Sequence, residues 1–88
     1  MAMTKERETQ NPKLITDMKS RVRDILIVVS WREIANKYFG KSSSWLYHKL
    51  DAIDGNGGVG GFTEQEAEQF KEALRDLARR INKCADEI

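Results

Sequence analysis

A single cysteine, Cys84, stands in the whole chain, so no disulfide can close within it and no thiolate cluster can be built for a metal. That excludes the stapled scaffolds of small secreted domains and fits a reducing compartment, where a lone cysteine is most often a small buried residue. Histidine is equally scarce. His48 has no cysteine, serine or carboxylate set at a spacing that builds a nucleophile and its base, and the carboxylates fall mainly on faces expected to be solvated. No acid–base pair emerges, and the chain reads as no enzyme, with no cofactor. Long apolar runs are missing too. The longest, Ile25 to Val29, is far short of the roughly 18 residues that a membrane span needs. The opening MAMTKERETQNP lacks the apolar stretch of a secretory signal and reads as a flexible tail over 1–11, so the expected address is the cytoplasm.

Charge of one sign is also lacking, since 15 Lys/Arg meet 14 Asp/Glu. The balance is uneven along the chain. Residues 1–29 hold six basic and four acidic side chains, 30–50 hold four and one, 51–61 none and two, and 62–88 five and seven. The positive excess is therefore densest in the middle, where it supports phosphate contact modestly. With 88 residues, 40% apolar and 33% charged, the chain is one globular domain. It has a thin core, burying roughly 60–65% of its unfolded surface.

Hydrophobic spacing predicts an all-α, compact four-helix domain over 12–88. Asn11-Pro12 resembles an N-cap followed by a first helical position. Leu14, Met18, Val22, Ile25 and Val29 then follow at helical intervals, which predicts one helix from Pro12 to about Val29. Ser30 with Glu33 offers a capping box for a second helix, whose stripe is Trp31, Ile34, Ala35, Tyr38 and Phe39 and whose end is Gly40. Ser42 or Ser43 would cap a third helix from about Ser44 to Ile53, with Leu46, Leu50 and Ile53 inward. Thr63 and Glu66 form a second capping-box pattern, with Phe62 in the staple position, for a long helix over 63–88. Along it Ala67, Phe70, Leu74, Leu77, Ile81, Cys84 and Ile88 alternate spacings of three and four, a heptad-like seam that needs a partner helix. The partner is either the first helix of the same chain or the same helix of a second molecule, a homodimer through the C-terminal helix.

Between the third and last helices, 54–61 holds five of the six glycines and reads as a glycine-rich loop. Gly55, Gly57 and Gly60 match G-x-G-x-x-G, but no strand precedes them, so no dinucleotide site is expected. Asp54-Gly-Asn-Gly echoes a calcium loop. Its first and last ligand positions would fall on Ala52 and Thr63, which cannot supply the required carboxylates.

The stretch Ser30 to Leu50, SWREIANKYFGKSSSWLYHKL, carries most of the functional signal. Two short helices joined by a tight glycine turn make a helix-turn-helix-like unit over 30–53, and Ala35 is small where the two would cross. The pattern Ile-Ala, glycine, serines and a buried leucine resembles bacterial and phage helix-turn-helix repressors. Alanine and glycine lie five apart here instead of the usual four, which suggests a turn one residue longer. From Trp31 onward the chain resembles an uncharacterised family of short bacterial proteins with the motifs Trp-Arg-Glu-Ile-Ala, Tyr-Phe-Gly-Lys-Ser and Ser-Trp-Leu. That resemblance implies a helical fold and DNA binding and assigns no catalytic residue.

On that reading the helix starting near Ser43 enters the major groove and presents Lys41, Ser42, Ser43, Ser44, Tyr47, His48 and Lys49. Hydroxyls and helix N-terminal amides can hold phosphate, the lysines add charge, and Tyr47 or His48 can reach bases or backbone. Arg32 and Lys37 would touch the backbone on the flank. Capping alone accounts for at least one of the serines, and Trp45 reads as core. The alternative is a helical protein-interaction module, with the seam as its recruiting surface and no nucleic acid bound.

Overall fold

The computed structural model describes residues 14–52 and 60–88. The Asn11-Pro12 start, the tail, Ile53 and most of the glycine-rich loop lie outside them. The described chain is all-α, as the hydrophobic spacing predicts, with four α-helices. Helix α1 spans Met18–Arg21, α2 Trp31–Glu33, α3 Ser43–Leu50 and α4 Glu64–Asp86. No helix among them is long and apolar enough to cross a membrane.

The expected first helix is the one element that the structure corrects. Instead of one helix to Val29, the chain forms a two-residue bridge, the single turn α1, a 3-10 segment Arg23–Ile25, and a tight turn up to Ser30. Ile15 exchanges both backbone hydrogen bonds with Phe62, at 2.7 and 2.9 Å, which ties the chain's start to the residue preceding α4. A helix at Ile15 would forfeit that pairing. Met18 and Val22 are buried as the helical spacing requires, and Ile25 and Val29 are half-buried, but Leu14, Ile27 and Val28 are exposed. The apolar run 25–29 thus bends around the core instead of lying along it. The Trp31 indole N–H donates to the Leu26 carbonyl at 2.7 Å, satisfying an acceptor within this turn.

Helix α2 begins where Ser30 accepts a hydrogen bond from the Glu33 N–H at 3.2 Å. The reciprocal bond expected of a capping box is absent, because the Glu33 carboxylate turns to Arg80, 3.8 Å away. The helix then widens into a π-helix over Ile34–Phe39 and stops at Gly40, whose φ of 65° is left-handed. The Gly40 and Lys41 amides both donate to the Ala35 carbonyl. The five-residue spacing of Ala35 and Gly40 is thereby explained, since the extra residue is absorbed inside the helix as a π-turn and the link itself stays short. Only Gly40, Lys41 and Ser42 separate the two helices.

Helix α4 starts with a complete capping box. The Thr63 hydroxyl accepts from the Glu66 N–H at 3.1 Å, while the Glu66 carboxylate accepts from the Thr63 N–H at 2.9 Å. The π-helix packs against both α3 and α4, so it occupies the place across from α4 that the sequence assigned to a first helix. Ile34, Ala35, Leu46, Phe62 and Phe70 are essentially inaccessible. Phe70 is the hub, with Phe62 stacked on it at 5.2 Å and Trp31 and Phe39 tilted against it at 6.0 and 6.4 Å. Each such aromatic contributes about 1.5–3 kcal/mol on burial. Ala35, in the π-helix that packs against α3, is wholly buried, as its small size at this junction predicts.

The seam of α4 is only half used. Phe70 and Ala73 are buried and Ala67, Leu74 and Leu77 pack on the core, but Ile81, Cys84 and Ile88 are exposed. Cys84, read from the sequence as a buried residue, is thus an exposed free thiol. Beyond Leu77 the helix has outrun the elements that cover it.

Candidate nucleic-acid interface

Ser42 is the cap of α3, its hydroxyl accepting from the Trp45 N–H at 3.2 Å. Its oxygen is therefore occupied by local structure, and Ser43 behind it is half-buried. Leu46 and Leu50 fasten the opposite side of α3 to the core. What remains exposed is a strip of Ser44, Tyr47 and His48, separated by three and four residues and so on one face, with Lys41 just ahead of the helix. Tyr47 is 47% accessible, a large aromatic side chain left at the surface.

Lys49 lies elsewhere. Its ammonium is 2.9 Å from the Glu66 carboxylate, with both side chains about three-quarters buried, so this cation joins α3 to the capping box of α4. Burial pushes the Glu66 carboxyl up, but the Thr63 N–H and Lys49 outweigh it and hold it below the ordinary glutamate value. Lys49 also sits over the Trp45 ring, 5.4 Å from its centre, and Lys41 lies 5.8 Å from the same ring. Trp45 itself packs on Phe39 at 5.1 Å and is half-buried. It is a core-edge residue, as the sequence suggests, and it steadies two lysines by cation–π attraction. Both lysines stand four residues from Trp45, but that spacing alone does not tell a cation–π contact from a solvated lysine.

Arg32 and Lys37 are exposed on the α2 and π-helix surface. Among the described residues neither they nor Lys41 lies within 4 Å of a carboxylate, whereas Lys19, Lys49, Lys71, Arg75 and Lys83 are all ion-paired. The basic excess of 30–50 thus resolves into three cations without an ion-pair partner among the described residues and one that is structural. Asn36 donates to the Lys41 carbonyl at 2.7 Å, fixing the turn that carries Lys41.

A network that sequence reading missed lies on the π-helix side. The Tyr38 hydroxyl donates to Asp76 and accepts from Arg80 at 3.1 Å, while Gln69 donates to the Tyr38 carbonyl at 2.9 Å. The Tyr38 hydroxyl, aided by Arg79 and Arg80, holds the Asp76 carboxyl below the usual aspartate range. These partners are more than 30 residues apart in sequence, so no local pattern announces them. They clamp the π-helix to α4. Gly55 and Gly57, with Asp54 and Asn56, lie outside the described residues.

Residues 18–88 match the family described as Domain of unknown function (DUF5053). The chain belongs to this family. The match takes in α1 through α4, so the DUF5053 domain comprises the core and the exposed strip of α3 together. No curated protein and no solved structure matches the chain.

Proposed function

We propose that this DUF5053 protein binds duplex DNA through a helix-turn-helix-like unit, with α3 entering the major groove. The observation that carries the reading is the exposed strip Lys41, Ser44, Tyr47 and His48, held on a short helix whose back is fixed in the core. Three features of the molecule support it. The link from the π-helix to α3 is three residues long, one face of α3 presents the Ser44 hydroxyl in its first turn and the Tyr47 phenol and His48 imidazole in its second half, groups suited to phosphate and base edges, and Arg32, Lys37 and Lys41 lack carboxylate partners among the described residues. Lys41 supplies charge to the phosphate beside the N-terminus of α3, and Tyr47 and His48 contact bases or sugar-phosphate. Ser42 and Ser43 act by capping and positioning, and Lys49 by holding α3 on α4. Arg32 and Lys37 touch the backbone on the flank. Major-groove reading of this kind is the work of a transcriptional or phage-type regulator.

Fluorescence anisotropy with a labelled duplex tests the assignment. Lys41→Ala and His48→Ala each weaken binding about 5- to 10-fold without lowering the melting temperature, while Arg75→Ala, on the exposed side of α4, leaves binding unchanged. Equal affinity in all the variants removes α3 as the reader. The competing reading, a helical interaction module with no nucleic-acid role, draws on the uncovered end of α4 and requires no DNA binding even at low salt.

A further inference from the structure

From Ala78 onward every residue is exposed, Ile81 at 58% within α4 and Ile88 fully, in the turn after Asp86 where the Glu87 and Ile88 N–H groups donate to the Cys84 and Ala85 carbonyls. Leu77, half-buried at the edge of the core, begins a stripe that Ile81, Cys84 and Ile88 continue at spacings of four, three and four. We propose that this overhang pairs with the same segment of a second copy, antiparallel, about a twofold axis between Asn82 and Lys83. The pairing is independent of whether DNA is bound.

The flanking charges select the register. With the register of α4 carried on through its terminal turn, Ile81 and Ile88 hold a positions, Leu77 and Cys84 d positions, Arg80 and Glu87 g positions, and Ala78 and Ala85 e positions. In an antiparallel pair a residues meet d residues, and like flanks face each other. With the axis between Asn82 and Lys83, Leu77 meets the partner's Ile88 and Ile81 meets the partner's Cys84, which gives four apolar layers by symmetry. Arg80 then faces the partner's Glu87 on both sides of the axis, and Ala78 faces the partner's Ala85, small enough for close approach. A shift of one heptad toward the N-terminus sets Arg80 against Arg80, and one toward the C-terminus sets Glu87 against Glu87. A parallel pair sets Arg80 against Ala85 and forms no flanking ion pair. Only one arrangement joins opposite charges.

Both side chains can make the exchange. Arg80 is 45% exposed, lies 3.8 Å from Glu33 and donates one N–H to the Tyr38 hydroxyl at 3.1 Å, which leaves its other guanidinium N–H groups for the partner, and Glu87 is held by Lys83 in a surface pair with both partners mostly solvated. Surface pairs of that kind are weak and are readily traded.

Sedimentation of the full chain tests the proposal. Four layers make a small interface, so the protein is half dimeric at roughly 100 µM and monomeric well below that. Ile81→Lys stays monomeric throughout while its melting temperature at low concentration is unchanged, because Ile81 contributes little to the monomer's core. Arg80→Glu and Glu87→Arg each weaken the dimer about 5-fold or more, and the two together restore it. A monomer at every concentration up to about ten times that value, or a dimer indifferent to Ile81→Lys, overturns the proposal. Charge variants without effect overturn the antiparallel register.

Discussion

Two glycines with left-handed backbone have very different surroundings, and substituting each by alanine separates conformational strain from close contact. At Gly40, φ is 65° and a methyl group would meet nothing within 4 Å. Gly40→Ala therefore carries only the intrinsic penalty of an alanine in this region, about 1 kcal/mol. At Gly61, φ is 119° and the added carbon would stand 2.7 Å from the Ile15 carbonyl oxygen and 3.1 Å from the Thr16 methyl. That backbone region alone costs about 1–3 kcal/mol in a residue with a side chain. The clash falls on the very carbonyl that accepts from the Phe62 N–H at 2.9 Å. Relief requires the Ile15–Phe62 bridge to open, losing two hydrogen bonds of about 1 kcal/mol each. Gly61→Ala is thus expected to cost about 4 kcal/mol, against a total stability of roughly 4–13 kcal/mol for a chain of this length. At roughly 5 °C per kcal/mol, the melting temperature falls about 20 °C in Gly61→Ala and about 5 °C in Gly40→Ala. Circular dichroism at the helical band, with the fluorescence of Trp31 and Trp45, follows both transitions. Equal shifts would show that the Ile15–Phe62 bridge does not hold the chain's start to α4.

The capping serine and the exposed serine of α3 separate in the same way. Ser42→Ala loses the bond to the Trp45 N–H and lowers stability by about 1 kcal/mol in denaturant unfolding, whereas Ser44→Ala changes it by less than about 0.5 kcal/mol. Identical losses would contradict the cap assignment. Glu66 gives a pH dependence. Its carboxyl is held below the ordinary value of 4.5 in the fold, so its stabilisation is complete above that value and is lost as pH falls through the lower folded one. The drop in melting temperature between about pH 6 and pH 3 is accordingly smaller in Glu66→Gln than in the unaltered chain. A drop of the same size would mean that the Lys49–Glu66–Thr63 arrangement adds no net stability.

Helix caps are the most legible feature of the sequence from Ser30 onward, because a cap is local. Thr63 with Glu66, Ser30 before Trp31 and Gly40 after Phe39 each satisfy backbone groups within a few residues of themselves. The first helix was misread for the opposite reason. Its apolar spacing is sound only at Met18 and Val22, since Leu14 is exposed and Ile15 is claimed by Phe62, 47 residues along the chain, and no helical period records that competition. The Ala35–Gly40 spacing did signal an extra residue, yet only the fold could say that a π-turn takes it up. At the candidate site, Lys41, Ser44, Tyr47 and His48 were readable as exposed from the stripe opposite Leu46 and Leu50. Lys49 was not readable as a structural cation, since Glu66 reaches it from the far side of the glycine-rich loop. The seam was legible as a period but not as an occupancy. Where its cover ends depends on how far the π-helix extends along α4.

The most direct test of the DNA-binding account is the affinity of the full chain for a randomised duplex pool across salt concentration. Arg32, Lys37 and Lys41, three cations without a carboxylate partner among the described residues, correspond to a slope of about −3 in log affinity against log salt for each bound chain, with enrichment of a defined sequence from the pool. No binding at about 50 mM salt, or affinity that does not change with salt, would contradict it.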